Sequence, residues 1–192
     1  MAVKTLILYD RESTCYDNRD LCAQIRDIVR ESGGEATVVR LNGDEIKPCR
    51  GCYRCWVKTP GQCILTDDCV GTVSGQEIKS DVVILLSRIT YGGYSYDIKS
   101  FLDRNIPNIL PFFEIVNGEM HHEMRYEHFP YMISIGYGDF TPQERQTFVS
   151  LAERNALNMR PPKHFAFAMR DAAEMRETMQ ALKTILSKEV CQ

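Results

Sequence analysis

The chain has 192 residues, of which 44% are hydrophobic and 26% are charged, and its formal net charge at pH 7 is −3. This balance is typical of a globular protein with a sizeable core, and it argues against nucleic-acid and membrane partners. The short apolar run at the N-terminus ends at Asp10. We therefore expect a cytoplasmic protein with one domain over residues 1–192.

Short apolar runs alternate with amphipathic segments along most of the chain. The runs fit strands buried on both faces, and the segments between them carry apolar residues at helical spacing. In chain order, the predicted strands are 5–9, 36–41, 81–87, 131–135 and 164–168. The predicted helices are 17–31, 70–79, 96–104, 141–158 and 172–188.

Residues 106–129 interrupt this alternation. Asn117 and Gly118 lie between apolar residues, which is a hairpin turn signal. We expect an inserted hairpin-like segment near 106–129 that covers the active site or contributes to a dimer. Adjacent residues of a strand point to opposite faces, so His121 and His122 are better explained as polar surface residues than as a metal site.

The alternation predicts an α/β fold in the form of a flavodoxin-like three-layer sandwich, with a five-stranded parallel sheet of order 2-1-3-4-5. In such a fold the ligand site lies at the carboxyl ends of strands 1, 3 and 4. The segment after the second strand leaves the sheet at the same edge. A redox cofactor bound there would be a neighbour of that segment.

Four of the eight cysteines lie in this segment, at positions Cys49, Cys52, Cys55 and Cys63. Their spacing is C-x2-C-x2-C-x7-C, and thiolates are the soft ligands that iron–sulfur clusters and zinc prefer. In a reducing compartment a metal or redox role is favoured over disulfides. Four interpretations stay open: a [4Fe–4S] cluster, a zinc site, a disulfide, and reduced thiols without a metal.

Two segments carry a family resemblance. Residues 87–104, which read SRITYGGYSYDIKSFLDR, resemble the third-strand loop and the following helix of flavodoxin-like NAD(P)H-dependent FMN reductases. Residues 48–68 resemble the cysteine segment of the same group, through a Lys-Thr-Pro-Gly-x-Cys run followed by two aspartates. The cysteine spacing is also similar to that of iron–sulfur flavoproteins, where it holds a [4Fe–4S] cluster.

The resemblance implies a homodimer or homotetramer that binds FMN and passes electrons from NAD(P)H to a small-molecule acceptor or an iron–sulfur centre. Glycines permit close approach to a flat ring, and Tyr91 or Tyr94 can stack on it. No residue is predicted as an acid–base catalyst. The implied FMN contacts are Arg11, Ser13, Thr14, Asn18, Arg88, Ile89, Thr90, Tyr91, Gly92, Gly93, Gly136, Tyr137 and Gly138.

The first loop departs from the family pattern. Asp10 stands where the family has glycine, and Glu12 and Asp17 add negative charge near the expected FMN phosphate. Two alternatives to the FMN-dependent enzyme therefore stay open. One is a non-enzymatic redox or binding module that has lost FMN binding, and the other is an iron–sulfur electron carrier.

Overall fold

The computed structural model describes residues 2–11 and 18–190. Its strands are β1 (Lys4–Tyr9), β2 (Glu35–Arg40), β3 (Val82–Arg88), β4 (Ile109–Val116), β5 (Glu119–Met124), β6 (Tyr131–Tyr137) and β7 (His164–Met169). Its helices are α1 (Asn18–Glu31), α2 (Arg54–Val57), α3 (Val70–Ile78), α4 (Tyr96–Leu102), α5 (Pro142–Met159) and α6 (Ala172–Ile185).

The main sheet is parallel and has the order β2-β1-β3-β6-β7. Since β6 and β7 are the fourth and fifth strands of this sheet, the predicted order 2-1-3-4-5 is confirmed. Helices cover both faces, which explains why the central strands are almost entirely apolar. β3, for example, is buried from Val82 to Ser87.

Two apolar clusters fill the space between the sheet and its helices. Ile7, Ile84 and Ile133 point to the face that α1 and α6 cover. Leu8 and Leu85 point to the opposite face, where they pack with residues of α3, α4 and α5. This alternation along each strand is what a period of two residues requires.

The predicted hairpin is confirmed. β4 and β5 pair antiparallel, and Asn117 and Gly118 form the turn with φ angles of 53° and 83°. The prediction of a polar surface position is wrong for His121, which is 7% exposed, whereas His122 is partly buried. His121 contacts Asn158 of α5, and the hairpin thus packs on the core helix layer.

The cysteine segment is more ordered than the irregular loop that the sequence predicts. Arg54–Val57 forms one helical turn within it. Trp56 of this turn donates a hydrogen bond to the carbonyl of Ile106 at 3.1 Å and packs on His122 of the hairpin. The hairpin and the cysteine segment therefore support each other. No helix in the described parts of the chain is long and apolar enough to span a membrane.

Candidate functional site

Three strand ends meet at the carboxylate of Asp10, which follows β1 and is only 2% exposed. It accepts hydrogen bonds from the backbone N–H of Arg88 at 2.7 Å and from the hydroxyl of Tyr137 at 2.6 Å. The register of β3 and β6 places Arg88 opposite Tyr137. One carboxylate thus joins the carboxyl ends of β1, β3 and β6, the edge where a doubly wound sheet binds its ligand.

Asn18, the first residue of α1, completes this group. Its Nδ2 lies 2.8 Å from the carbonyl oxygen of Asp10, 3.1 Å from the carboxylate and 3.1 Å from the hydroxyl of Tyr137. Burial raises the pKa of Tyr137, and the negative charge of Asp10 raises it further. The Tyr137 hydroxyl therefore stays protonated and donates to the carboxylate. We call Asp10, Asn18, Arg88 and Tyr137 the edge cluster.

Arg11 lies beside the edge cluster but turns toward α4. Its Nε donates to the two carboxylate oxygens of Asp97 at 3.0 and 3.1 Å, and Nη1 contacts Asp44. Asp97 also accepts from the backbone N–H of Gly43 at 2.7 Å. The hydrogen bond to Asp97 raises the pKa of Arg11 above its ordinary value. Two carboxylates therefore neutralise the cation that the sequence predicts for the FMN phosphate.

The loop after β3 forms a tight turn. Thr90 and Gly93 exchange backbone hydrogen bonds at 2.9 and 3.0 Å, and the two residues between them have positive φ angles. The Tyr91 side chain is 92% exposed at the tip of this turn. Tyr94, in contrast, is buried and contacts Ser134 through its hydroxyl. Of the two tyrosines expected to stack on a ring, only Tyr91 is open to a ligand.

Gly92 and Gly136 lie in closely packed surroundings. A Cβ on Gly92 would lie 2.7 Å from the Cβ of Thr147, and a Cβ on Gly136 would lie 2.6 Å from Ile89 and 2.8 Å from Phe148. Ile89 fills the space beside Gly136 and is itself buried. Close packing against α5 and Ile89 therefore accounts for these two glycines, and the approach of a flat ring to them stays a prediction.

Of the predicted flavin contacts, Asn18, Arg88 and Tyr137 come together in the edge cluster. Gly138 adjoins them, because a Cβ there would lie 3.3 Å from Cγ of Arg88. Ser13 and Thr14 lie outside the described residues. The assignment of these residues to a flavin stays a prediction.

The cysteine segment forms one wall of a cavity of about 570 Å³, and α4 forms another. The four predicted ligand cysteines all line this cavity. Burial raises the pKa of the Cys55 thiol, and its neighbour Cys63 raises it further. The other two cysteines, Cys49 and Cys52, are exposed.

Arg104 holds the two ends of the segment together. It is 1% exposed and pairs at 2.7 Å with Asp68, whose side chain is 0% exposed. It also donates to the carbonyl of Lys47 before the segment, to the carbonyl of Leu65 at 3.2 Å and to Sγ of Cys63 at 3.5 Å. Burial lowers the pKa of Arg104, but Asp68 and Cys63 outweigh that effect and raise it overall.

The thiols have the chemistry that an iron–sulfur cluster needs. Among the described residues, however, no three His, Cys, Asp or Glu side chains lie together as a metal-binding group. We therefore derive no electron-transfer step through a cluster.

The edge cluster fits the uncharged part of a flavin better than its phosphate. Asn18 Oδ1 is a buried acceptor without a partner among the described residues, which suits a hydroxyl or N–H donor. A phosphate needs donors and cations, whereas Asp10 already uses the donors of Arg88 and Tyr137. The described part of the first loop therefore does not fit the FMN phosphate.

The two segments that resemble the family include Asp68 and Arg104, for which the sequence predicts no role. Asp68 and Arg104 end the two resembling segments, and their pairing explains why both segments carry a charged residue there. The sequence did offer a signal for Arg104, because this charged residue ends a predicted helix that has an apolar face. Asp97 carried no comparable signal, because its partners lie 54 and 86 residues away.

Comparison with known sequences supports the resemblance. No protein-family profile matches this chain. An iron–sulfur flavoprotein from Methanocaldococcus jannaschii is 34% identical over 79 residues, which are 41% of this chain and 39% of that protein. An iron–sulfur flavoprotein from Archaeoglobus fulgidus is 33% identical over 79 residues, or 41% of this chain and 34% of the relative. The match thus spans well under half of each relative.

Comparison with solved structures confirms the fold. The NAD(P)H:quinone oxidoreductase from Methanothermobacter marburgensis superposes with a TM-score of 0.68 at 9% identity, over 97% of this chain and 96% of that one. An azoreductase from Bacillus anthracis gives 0.63 at 8% identity, over 97% and 99%. An archaeal flavodoxin gives 0.55 at 10% identity, over 99% and 100%.

Proposed function

We propose that this protein is a flavin-dependent oxidoreductase whose flavin lies at the carboxyl edge of the sheet. The observation that carries the proposal is the meeting of three strand ends at Asp10, beside an exposed aromatic residue. The partial sequence relatives are iron–sulfur flavoproteins, and the similar structures include a quinone oxidoreductase and an azoreductase. Both comparisons favour redox chemistry.

The chain would contribute binding and orientation rather than acid–base catalysis. Tyr91 projects from a rigid turn and offers a face on which a ring can stack. Asn18 offers an acceptor, and Arg88 offers an exposed guanidinium at the same edge. A bound flavin supplies the ability to accept and return a hydride. We propose NAD(P)H as the electron donor and a small molecule as the acceptor.

The test is anaerobic purification followed by flavin titration. We expect the fluorescence of added flavin to be quenched on binding and the quenching to saturate. We also expect NADH or NADPH to bleach the absorbance of the protein-bound flavin. The Tyr91→Ser variant should weaken flavin binding by about three- to tenfold, since one aromatic contact is lost. Phe112→Ser is the matched control, because Phe112 is a similarly exposed aromatic on the hairpin. A protein that binds no flavin at all would refute the proposal.

An iron–sulfur centre is a second candidate for the acceptor, and it is favoured by the four thiols that line one cavity. Iron and acid-labile sulfide analysis of anaerobically purified protein tests it. Cys52→Ser should remove bound iron, while Cys69→Ser should not, because Cys69 is exposed and does not line the cavity. Protein without iron and sulfide would exclude this candidate.

We also propose the homodimer or homotetramer that the resemblance implies. The hairpin exposes a group of apolar side chains that would support such contact: Phe112, Phe113, Ile115 and Met120. Sedimentation velocity measures the oligomer directly. A monomer at micromolar concentration would contradict the proposal.

A further inference from the structure

Asp10 places a negative charge where a ligand anion would otherwise bind. The N-terminus of a helix carries partial positive charge and attracts anions. α1 has 14 residues and begins at Asn18, whose Nδ2 contacts the Asp10 carboxylate at 3.1 Å. The protein thus supplies its own anion at this helix end.

The same carboxylate uses the donors that a phosphate would need. The N–H of Arg88 and the hydroxyl of Tyr137 both donate to it at 2.7 Å or less. Arg11 is committed to Asp97 and Asp44. A phosphate beside Asp10 would therefore meet a buried carboxylate, and the donors that the described residues direct at this point are already in use.

Among the described residues of the edge cluster, the groups that remain for a ligand are a buried acceptor and the exposed side chain of Arg88. Asn18 is fully buried, and its Oδ1 has no hydrogen-bond partner among the described residues. Asn18 also lines a cavity of about 340 Å³ between α1 and α6. The charged residues lining that cavity are two acids, Asp20 and Asp171, and one base, Arg170. This composition suits hydroxyl groups better than a dianion.

We propose that the edge cluster selects a flavin without its terminal phosphate, so that riboflavin binds more tightly than FMN. This inference rests on the proposed function, because it specifies which form of the flavin the same site takes. Asp10 is the residue that makes the selection. Asn18 Oδ1 favours the ligand by accepting from a hydroxyl of the ribityl chain.

Titration of the wild-type protein with riboflavin and with FMN, followed by flavin fluorescence, tests the proposal without any variant. We expect a larger Kd for FMN. Repulsion between like charges is screened by salt, so the FMN affinity should rise with ionic strength while the riboflavin affinity stays nearly constant. A site built from cations would show the opposite salt dependence for FMN.

Asp10→Asn keeps the shape of the side chain and removes its charge. We expect the ratio of the FMN Kd to the riboflavin Kd to fall by about tenfold in this variant. Asp27→Asn is the matched control, because Asp27 is an exposed acid further along α1 that does not line the cavity. It should change the ratio by less than about twofold, since solvent and salt screen exposed charges. Melting temperatures verify that both variants are folded.

Arg88→Gln examines the rival explanation, in which the exposed guanidinium holds a phosphate. If this variant loses FMN binding but keeps riboflavin binding, the proposal is overturned. It is also overturned if wild-type protein binds FMN more tightly than riboflavin. Binding of neither flavin would defeat the proposed function itself, which is a different result from tight FMN binding.

Discussion

The carboxyl edge of the sheet and the cysteine segment bury charges of opposite sign. At the edge the buried charge is the carboxylate of Asp10, which gathers donors from the ends of β3 and β6. At the cysteine segment it is the guanidinium of Arg104, which gathers acceptors from both ends of the segment. The first arrangement repels a ligand anion, whereas the second closes a loop and leaves a thiol-lined cavity open.

The two regions also differ in how their buried charge is compensated. Asp10 is satisfied by neutral donors, an N–H, a hydroxyl and an amide. Arg104 has a full countercharge, since the side chain of Asp68 is as deeply buried as its own. Removal of one partner of a buried ion pair leaves an uncompensated charge. We therefore expect the cysteine segment to be the more sensitive region to a single substitution.

Arg104→Met is expected to have the largest effect. It should lower the free energy of unfolding by about 3 to 5 kcal/mol, because Asp68 is left buried without its partner. It should also speed the reaction of Cys63 with a thiol reagent, because the segment loses its link between residues 47 and 65. Denaturant unfolding and thiol labelling measure the two effects.

Lys99→Met is the control for this substitution. Lys99 pairs with Asp103, and both residues line the same cavity as Arg104. Both side chains, however, are more than half exposed. Loss of such a pair costs about 1 kcal/mol or less. If the Arg104 and Lys99 variants lose similar stability, the contrast between a buried and an exposed charge does not hold here.

Glu77 gives the next largest effect, and it depends on pH. This fully buried carboxyl on α3 accepts from the side-chain amides of Asn105 and Asn108, and burial raises its pKa from 4.5 to about 8. The folded state therefore keeps the proton between these pH values while the unfolded state loses it. Stability should fall by a few kcal/mol as pH rises from about 5 to about 8.

Glu77→Gln should remove most of this pH dependence. The variant cannot ionise, so it should be about as stable as the wild type near pH 5 and more stable near pH 9. Parallel denaturant titrations at the two pH values measure the difference. The opposite result would be a wild-type protein that becomes more stable between pH 5 and 8 while Glu77→Gln does not. It would show that the Glu77 carboxyl is ionised in the folded state.

The fold was predictable because its signals are local. The five apolar runs and the Asn117–Gly118 turn depend on residues close together in the chain, and the observed strands differ from the predicted ones by at most two residues at either end. The edge cluster was only partly predictable. Topology brings the ends of neighbouring strands together, but no local pattern shows that Asp10 accepts from a tyrosine 127 residues away.

The roles of the glycines show the same limit. Gly92 and Gly136 stood in the expected ligand loops, and their lack of a side chain suggested close approach to a ring. The structure assigns that space to Thr147, Ile89 and Phe148. Which neighbour fills the space beside a glycine is decided by tertiary packing, since a sequence pattern shows only that a side chain is absent.

Gly136→Ala tests the comparison of the carboxyl edge with the cysteine segment without changing a charge. Its expected effect is smaller than those at Arg104 and Glu77. The added methyl would lie 2.6 to 2.8 Å from atoms of Ile89 and Phe148, so these side chains must shift. We expect a loss of about 1 to 3 kcal/mol in the free energy of unfolding, the usual cost of overpacking.

Gly75→Ala is the matched control, because nothing lies within 4 Å of a Cβ added there and Gly75 is within α3, beside the cysteine segment. Alanine in a helix interior stabilises it by up to about 1 kcal/mol relative to glycine. The two substitutions should therefore change the midpoint of urea unfolding in opposite directions. If Gly136→Ala leaves the midpoint unchanged, the edge has room that the packing does not show, and a flat ring would then be able to approach this glycine after all.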